Sequence, residues 1–337
     1  MNGKWGFISK DEATIIQFKY DDVSHITDST FIAKINGKYG LLNYTDEFIL
    51  EPKYDKIIYK IMNKVTDPSY VFLNGKLAIL NSKNEFVTNF EYSGEPPYYG
   101  LPQEDKYVMI SKEVASQYSF DKHRYGLIEY ETGNIVIPCE YERLGNIAEG
   151  LICAKKNDNY GYIDINNKIV IPFSFNDAED FSEGLARVAI HGGYYNSRIG
   201  ILPFYLYGFI DKSGKFIIAP EFDNPTLNSW EDGGGFHEGL AAMGEKPENN
   251  VLAHNFGYID TTGRYIIKPI YEKAHRFMHG VAIVRLNEKY GCIDKNGNII
   301  VDLIYDNYEY RAEKDSVITF KNRDKIYSFH FNGVPVQ

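Results

Sequence analysis

The chain has 337 residues, of which 44% are hydrophobic and 24% charged, so it can bury a sizeable core and does not have the composition of a disordered chain. Its formal net charge of −10 repels phosphate backbones and argues against nucleic acid as a partner. No stretch is apolar for long enough to span a bilayer, and Met1–Lys10 lacks the basic-then-apolar pattern of a secretory signal.

Aromatic residues make up 15% of the chain, a bias that favours half-buried strands. An aromatic-glycine strand recurs along it. The copies begin at Trp5-Gly6-Phe7-Ile8, Tyr39-Gly40-Leu41-Leu42 and Tyr125-Gly126-Leu127-Ile128. They continue at Tyr160-Gly161-Tyr162-Ile163-Asp164, Tyr207-Gly208-Phe209-Ile210-Asp211, Phe256-Gly257-Tyr258-Ile259-Asp260 and Tyr290-Gly291-Cys292-Ile293-Asp294. Degenerate copies stand at Leu77-Ala78 and Ile326-Tyr327, giving about nine units with shortest spacings of about 34 to 36 residues. That period is the size of one supersecondary unit.

Each strand is followed by a hairpin dipeptide, as at Thr132-Gly133, Ser213-Gly214, Thr262-Gly263 and Asn296-Gly297. A β-branched run comes next, and Pro52, Pro138, Pro172, Pro220 and Pro269 read as its end, because proline donates nothing to a ladder. Short helical turns are expected after these prolines. An aromatic-acid pair follows, for example Tyr54-Asp55, Phe222-Asp223, Tyr271-Glu272 and Tyr305-Asp306. A third strand opens on Glu149-Gly150-Leu151, Glu183-Gly184-Leu185 or Glu238-Gly239-Leu240, with His279-Gly280-Val281 as a variant. It runs into the next aromatic strand through turns such as Asn36-Gly37 and Asn74-Gly75. The unit therefore reads as a three-stranded meander. The glycine after the aromatic is expected to admit a neighbouring ring or backbone, or a bulge, with the aromatic covering an adjacent unit.

These motifs resemble the bacterial WG-repeat (KWG-repeat) proteins. The likeness rests on Lys4-Trp5-Gly6-Phe7-Ile8, Lys38-Tyr39-Gly40, the Tyr-Ile-Asp strands, the Ile-x-Pro segments, and the Phe181–Ala186 and Phe236–Ala241 stretches. Only the first copy keeps tryptophan. The resemblance implies a repeat architecture and no shared activity to carry over. The expected fold is all-β, one array over residues 1–337 in which three-stranded antiparallel meanders stack into an open twisted superhelix or solenoid. The alternative is a closed β-propeller, whose blades are usually four-stranded and number about 4–8.

Three stretches break the period, residues 92–122, 191–206 and 224–255, and insertions of this kind in repeat proteins map to loops on the binding face. Their aromatics lack a repeat partner, which makes Tyr98, Tyr99, Tyr194, Tyr195, Phe204, Tyr205 and Trp230 the candidate contact residues. The alternative is that they cover an exposed end.

Nothing in the pattern points to catalysis. Asp164, Asp211, Asp260 and Asp294 recur before hairpin turns, where aspartate bonds its own backbone. Glu149, Glu183 and Glu238 are structural or solvated, and an acidic stripe formed by them would favour a basic partner. His275 and His279 have metal-like spacing, and His237 sits in the equivalent part of another unit, but no cysteine or acid completes a ligand set. No metal or cofactor is expected. Cys139, Cys153 and Cys292 read as free thiols of a reducing compartment, so the cytoplasm is expected, with export as the alternative if a leader precedes the chain. The expected function is a non-catalytic scaffold for an unidentified protein partner. The alternatives are a glycan or cell-wall binding module and, behind it, an enzyme with a site in the irregular stretches.

Overall fold

Most of the aromatic-glycine strands run through the interior of a small antiparallel sheet, because both neighbours in sequence fold back onto them through tight turns. The computed structural model describes residues 3–24, 29–59, 68–93, 106–115, 122–197, 200–223, 235–245, 255–311, 317–323 and 325–336, and among these it shows nine successive sheets and no helix. The chain divides into two compact portions, residues 1–144 with 165–167, and residues 145–164 with 168–337.

The sheet over residues 22–54 shows the pattern. Its strands are Asp22–Ser24, Thr30–Ile35, Lys38–Asn43 and Phe48–Tyr54, hydrogen-bonded in chain order. The sequence pattern anticipates three strands, yet five of the nine sheets among the described residues have four. The added strand is the short stretch after the aromatic-acid pair, as in Asp22–Ser24, Lys56–Ile58, Asp177–Ala178 and Lys273–Ala274. Two or three residues are too few to display a period of two.

The prolines do not end the outer strand. Pro172 lies inside the strand Ile169–Phe175, and the residues after it continue the strand in place of the expected helical turn. Tyr160 pairs with Phe175 and Tyr162 with Ile171, so two steps on the inner strand meet four on the outer one. The surplus forms a β-bulge, which can hold proline because its N–H is not needed in the ladder. This outer strand is the edge of its sheet, and proline with a bulge blocks edge-to-edge pairing.

The bulge explains the glycine. A Cβ on Gly161 would lie 2.7 Å from the Ile171 carbonyl oxygen, and one on Gly208 would lie 2.6 Å from that of Ile218. The intruding backbone belongs to the outer strand of the same unit, so of the expected possibilities it is a neighbouring backbone at a bulge that requires the glycine. Beside the glycine the conserved-register aromatics face each other across the strands, Tyr39 on Tyr54, Tyr207 on Phe222 and Tyr290 on Tyr305.

Inner strands are buried on both faces. In residues 185–189 alternate side chains face opposite ways. Leu185 joins a cluster with Phe209, Phe222, Phe236 and Met243 of its own and the following sheet, whereas Ala186 and Val188 join Tyr162, Ile171 and Phe181 toward the preceding one. This sheet is thus covered on both faces by its neighbours, which a lone small meander cannot achieve.

Residues 191–206 depart from the sequence reading as well. The insertion is not a loop but lengthens a hairpin, strands Ala186–Ser197 and Gly200–Ile210, paired from Ala186–Ile210 out to Ser197–Gly200. Gly161→Val and Gly208→Val are each expected to destabilise the fold by about 1–3 kcal/mol through overpacking against a backbone that cannot rotate away. Denaturation midpoints equal to wild type would contradict the crossing as the reason for glycine.

Candidate functional site

The recurring aspartates form their own turns. Asp211 Oδ1 accepts hydrogen bonds from the Ser213 N–H at 2.9 Å, the Ser213 hydroxyl at 2.6 Å and the Lys215 N–H at 3.1 Å. Asp260 repeats the set with Thr262 and Arg264, and the Thr262 hydroxyl heads the interactions that hold its carboxyl down at about 2.

The glutamates of the Glu-Gly turns link one unit to the next. Glu149, Glu183 and Glu238 all have left-handed backbones, with φ of 52°, 54° and 55°, each followed by a glycine near φ 80° as a two-residue hairpin turn requires. Glu149 accepts the Gly184 N–H at 3.0 Å. Glu183 accepts the N–H groups of Glu238 and Gly239, the latter at 2.8 Å. Glu238 accepts the Gly280 N–H at 2.8 Å. Lys212 lies 3.0 Å from the Glu149 carboxylate, and Lys295 lies 3.2 Å from that of Glu238. Burial alone would raise the Glu149 carboxyl, but the Gly184 N–H and Lys212 outweigh it and the net shift is downward. Glu238 behaves likewise, with the Gly280 N–H and Lys295 opposing burial. These carboxylates are occupied within the protein, so they do not present the free acidic stripe that would favour a basic partner.

A second set of links joins the opposite turns. Asp55 binds Lys38 and accepts the Asn74 N–H at 2.6 Å, and Lys38 is the main cause of its lowered carboxyl. Asp306 binds Lys289 and accepts the Arg323 N–H at 3.0 Å. The acid of the aromatic-acid pair therefore anchors the following hairpin.

Of the residues read as contacts, Tyr98, Tyr99 and Trp230 lie outside the described residues. Tyr195 falls on the long hairpin, paired with Leu202. Tyr194, Phe204 and Tyr205 are also on that hairpin, and the structure brings Tyr194 and Tyr205 together with a residue not singled out before, His191. The His191 ring centroid lies 4.7 Å from that of Tyr194 and 6.2 Å from that of Tyr205. Tyr194 is 67% exposed and Ile201 69%. Phe204 packs on the backbone of Gly192 and Gly193, where a Cβ would meet its ring at 2.5 and 3.0 Å. Beyond Ala189 and Leu206 this ribbon has no third strand among the described residues.

No group of three or more potential metal ligands occurs among the described residues. His279 stacks near Phe331 at 4.4 Å, and His275 Nε2 lies 3.0 Å from the Tyr308 hydroxyl. His237 is pushed below its ordinary value by burial, aided by Arg276. The cysteines are free, and burial raises the thiols of Cys139 and Cys292 to about 11 and 12, which removes them as nucleophiles at neutral pH. A cleft of about 550 Å³ opens beside His275 and Phe331.

The model of the WG containing repeat matches at residues 5–39, 39–59, 125–160, 160–195, 207–243, 256–290 and 290–325. The chain belongs to the WG-repeat family. Its repeats carry both kinds of junction described above. No curated protein matches this WG-repeat chain in sequence. Among solved structures, a eukaryotic initiation factor matches over 93% of the chain and 96% of its own length, at 12% identity and a TM-score of 0.40. The β-propeller domain of the Trilobed protease from Pyrococcus furiosus matches over 92% and 94%, at 12% identity and a TM-score of 0.40.

The links predict an acid dependence with a definite sign. Glu149 and Glu238 have lowered folded-state values, so their contribution is complete above the unfolded value of about 4.3 and disappears as pH falls through the folded one. A Glu149→Gln/Glu238→Gln variant is expected to melt earlier than wild type at neutral pH. The gap in midpoint should narrow as pH drops from about 5 to about 3. A gap that does not change with pH would show that the carboxylates carry no linked charge.

Proposed function

We propose that this WG-repeat protein is a non-catalytic scaffold that binds a protein partner through the hairpin ribbon of residues 190–206. The observation that carries this reading is the uncovered aromatic cluster of His191, Tyr194 and Tyr205 on a ribbon with no third strand among the described residues. A bare two-stranded ribbon is marginal in water, and exposed apolar surface on it marks a place that another molecule covers. Tyrosines are common anchors at such contacts because they combine large area with few rotatable bonds.

The scaffold reading also draws on the recurrent carboxylates, each of which holds a turn or a junction. The ribbon has no acidic residue between positions 190 and 206, so its chemistry favours an apolar or aromatic partner surface over a basic one. A sugar-binding role would call for a coplanar platform. The rings of Tyr194 and Tyr205 instead lie at 60° and 86° to His191, which favours a protein. Three cysteines outside any disulfide support the cytoplasm as the compartment. Nine successive sheets among the described residues, against the 4–8 blades of common propellers, support an open array, although the four-stranded form of five of them weakens the strand-count argument against blades. A solution-scattering profile fitted by a closed ring of blades would contradict the open arrangement.

The test is a Tyr194→Ser/Tyr205→Ser variant. Both side chains are exposed, so its melting temperature should match wild type. A partner captured by wild type under native expression should bind the purified variant weaker by a factor of about 30 or more, the loss expected for hot-spot aromatics. Equal affinity for the variant, or the absence of any specific partner, would sink the proposal.

A further inference from the structure

The cleft near the C-terminal end has features that the repeat does not require. It lies between the sheet of Lys273–Ala274, Val281–Leu286, Lys289–Asp294 and Ile299–Tyr305 and the following one. Its floor is apolar and aromatic, formed by Ile283, Tyr290, Ile318 and Phe331 among others, and its rim carries Lys273, His275 and Arg276. Among the described residues no acidic side chain lines it. The volume of about 550 Å³ is that of a small-molecule site.

Comparison with other units separates the ordinary from the unusual, because Lys273 repeats the basic position of Lys56 and Ile283 the apolar position of Ile32 and Tyr70, whereas Arg276 and Phe331 are departures. Asp177 pairs with Ala189 and Ala178 with Val188, just as Lys273 pairs with Arg285 and Ala274 with Val284. In that register Lys273, His275 and Arg276 stand where the earlier unit has Asp177, Glu179 and Asp180, and Ile283 stands where it has Arg187. In the earlier unit the charges balance internally. Arg187 is buried, pairs with Glu179 and lies 5.5 Å over the Tyr207 ring. The later unit has Lys273 and Arg276 where this one has Asp177 and Asp180, and Ile283 where Arg187 is the exception to Ile32 and Tyr70. Lys273 and Arg276 form no ion pair among the described residues, within a chain whose net charge is −10.

The neighbouring junction is altered in the same place. Phe331 occupies the turn position held by Lys212 and Lys295, and His279 occupies that of Glu149 and Glu238. The lysine–glutamate link is replaced by a ring contact, which adds an aromatic wall to the cleft. Junction packing gains nothing from unpaired cations grouped over an apolar floor. A ligand with an anionic head and an apolar body does.

We propose that this cleft binds a small organic carboxylate, its head at Lys273 and Arg276 and its chain or ring between Ile283, Tyr290, Ile318 and Phe331. The guanidinium of Arg276 offers the forked donor that suits a carboxylate. The proposal is independent of partner binding at residues 190–206, and the ribbon variant leaves the cleft intact.

The experiment uses the full chain and 1-anilinonaphthalene-8-sulfonate, a fluorescent probe that pairs an anionic head with an apolar ring system. Saturable binding of one probe per chain is expected, with displacement by decanoate at concentrations about tenfold lower than by decanol, since loss of a charged hydrogen bond has about that effect. A Lys273→Gln/Arg276→Gln variant, altered only at exposed side chains, should keep the wild-type melt and bind probe and decanoate about tenfold more weakly. Ile283→Arg, which copies the residue at the same register of the earlier unit, should abolish probe binding by filling the floor. Equal displacement by decanol and decanoate would overturn the role of the cations. Displacement by inorganic phosphate as effective as that by decanoate would overturn the role of the apolar floor. Unchanged binding in the double glutamine variant would remove the site altogether.

Discussion

The crossing of the outer strand over the central glycine is the constraint on which the rest of each unit depends. At Gly161 and Gly208 the carbonyl of the bulged strand sits where a Cβ would be. That closeness turns the outer strand back toward the start of the inner one and sets an aromatic pair across them, Tyr160 on Phe175 and Tyr207 on Phe222. The acid that follows the outer aromatic is thereby delivered to the next hairpin, as Asp55 is to Asn74 and Asp306 to Arg323. One missing methyl group thus determines the bulge, the cross-strand pair and the link to the next repeat.

Much of this was legible because it repeats. The aromatic-glycine strand, the hairpin dipeptides and the β-branched runs each return in register, so chance agreement is small even without knowing any contact. Features that depend on a neighbouring unit were not legible. Glu183 reads like any turn glutamate until the following turn places the Glu238 and Gly239 N–H groups beside its carboxylate. Pro172 reads as a strand end because a bulge and a terminus look alike in one dimension. The short strands Asp177–Ala178 and Lys273–Ala274 are too brief for any periodicity. The ribbon of residues 191–206 was hidden for the opposite reason. Its glycines, Gly192 and Gly193, look like loop residues, yet they are required because the Phe204 ring lies flat on their backbone.

The two sets of links also govern how stability is distributed. In a repeat array each unit is held by its own sheet and by its two junctions. A buried apolar cluster and one or two carboxylate-to-backbone hydrogen bonds make up each junction, as in the Leu185–Phe236 cluster capped by Glu183. The polar part is exposed and contributes modestly, but it fixes register, because a carboxylate that accepts two adjacent N–H groups tolerates little sliding between sheets. Register fixed in this way lets the apolar faces stay well packed while the strand sequences drift, which explains how tyrosine, phenylalanine and leucine interchange at the position of Trp5.

A repeated architecture supplies its own control for deciding which residues have another role. Where the same position in several units carries the same side chain with the same partner, as Asp211, Asp260 and Asp294 do in their turns, packing and turn formation account for it. Where one unit departs in several neighbouring positions at once, packing alone does not. Lys273 and Ile283 keep the pattern of Lys56, Ile32 and Tyr70, but Arg276 adds a second cation to the rim where another unit has Asp180. The loss of the lysine–glutamate link at His279 and Phe331 lies on the same wall. A drifting structural junction would lose charges singly and keep its remaining pairs. The ribbon differs from the cleft in kind, since it adds length to a hairpin without altering the junctions on either side, and this separation allows one repeat array to carry two surfaces with different chemistry.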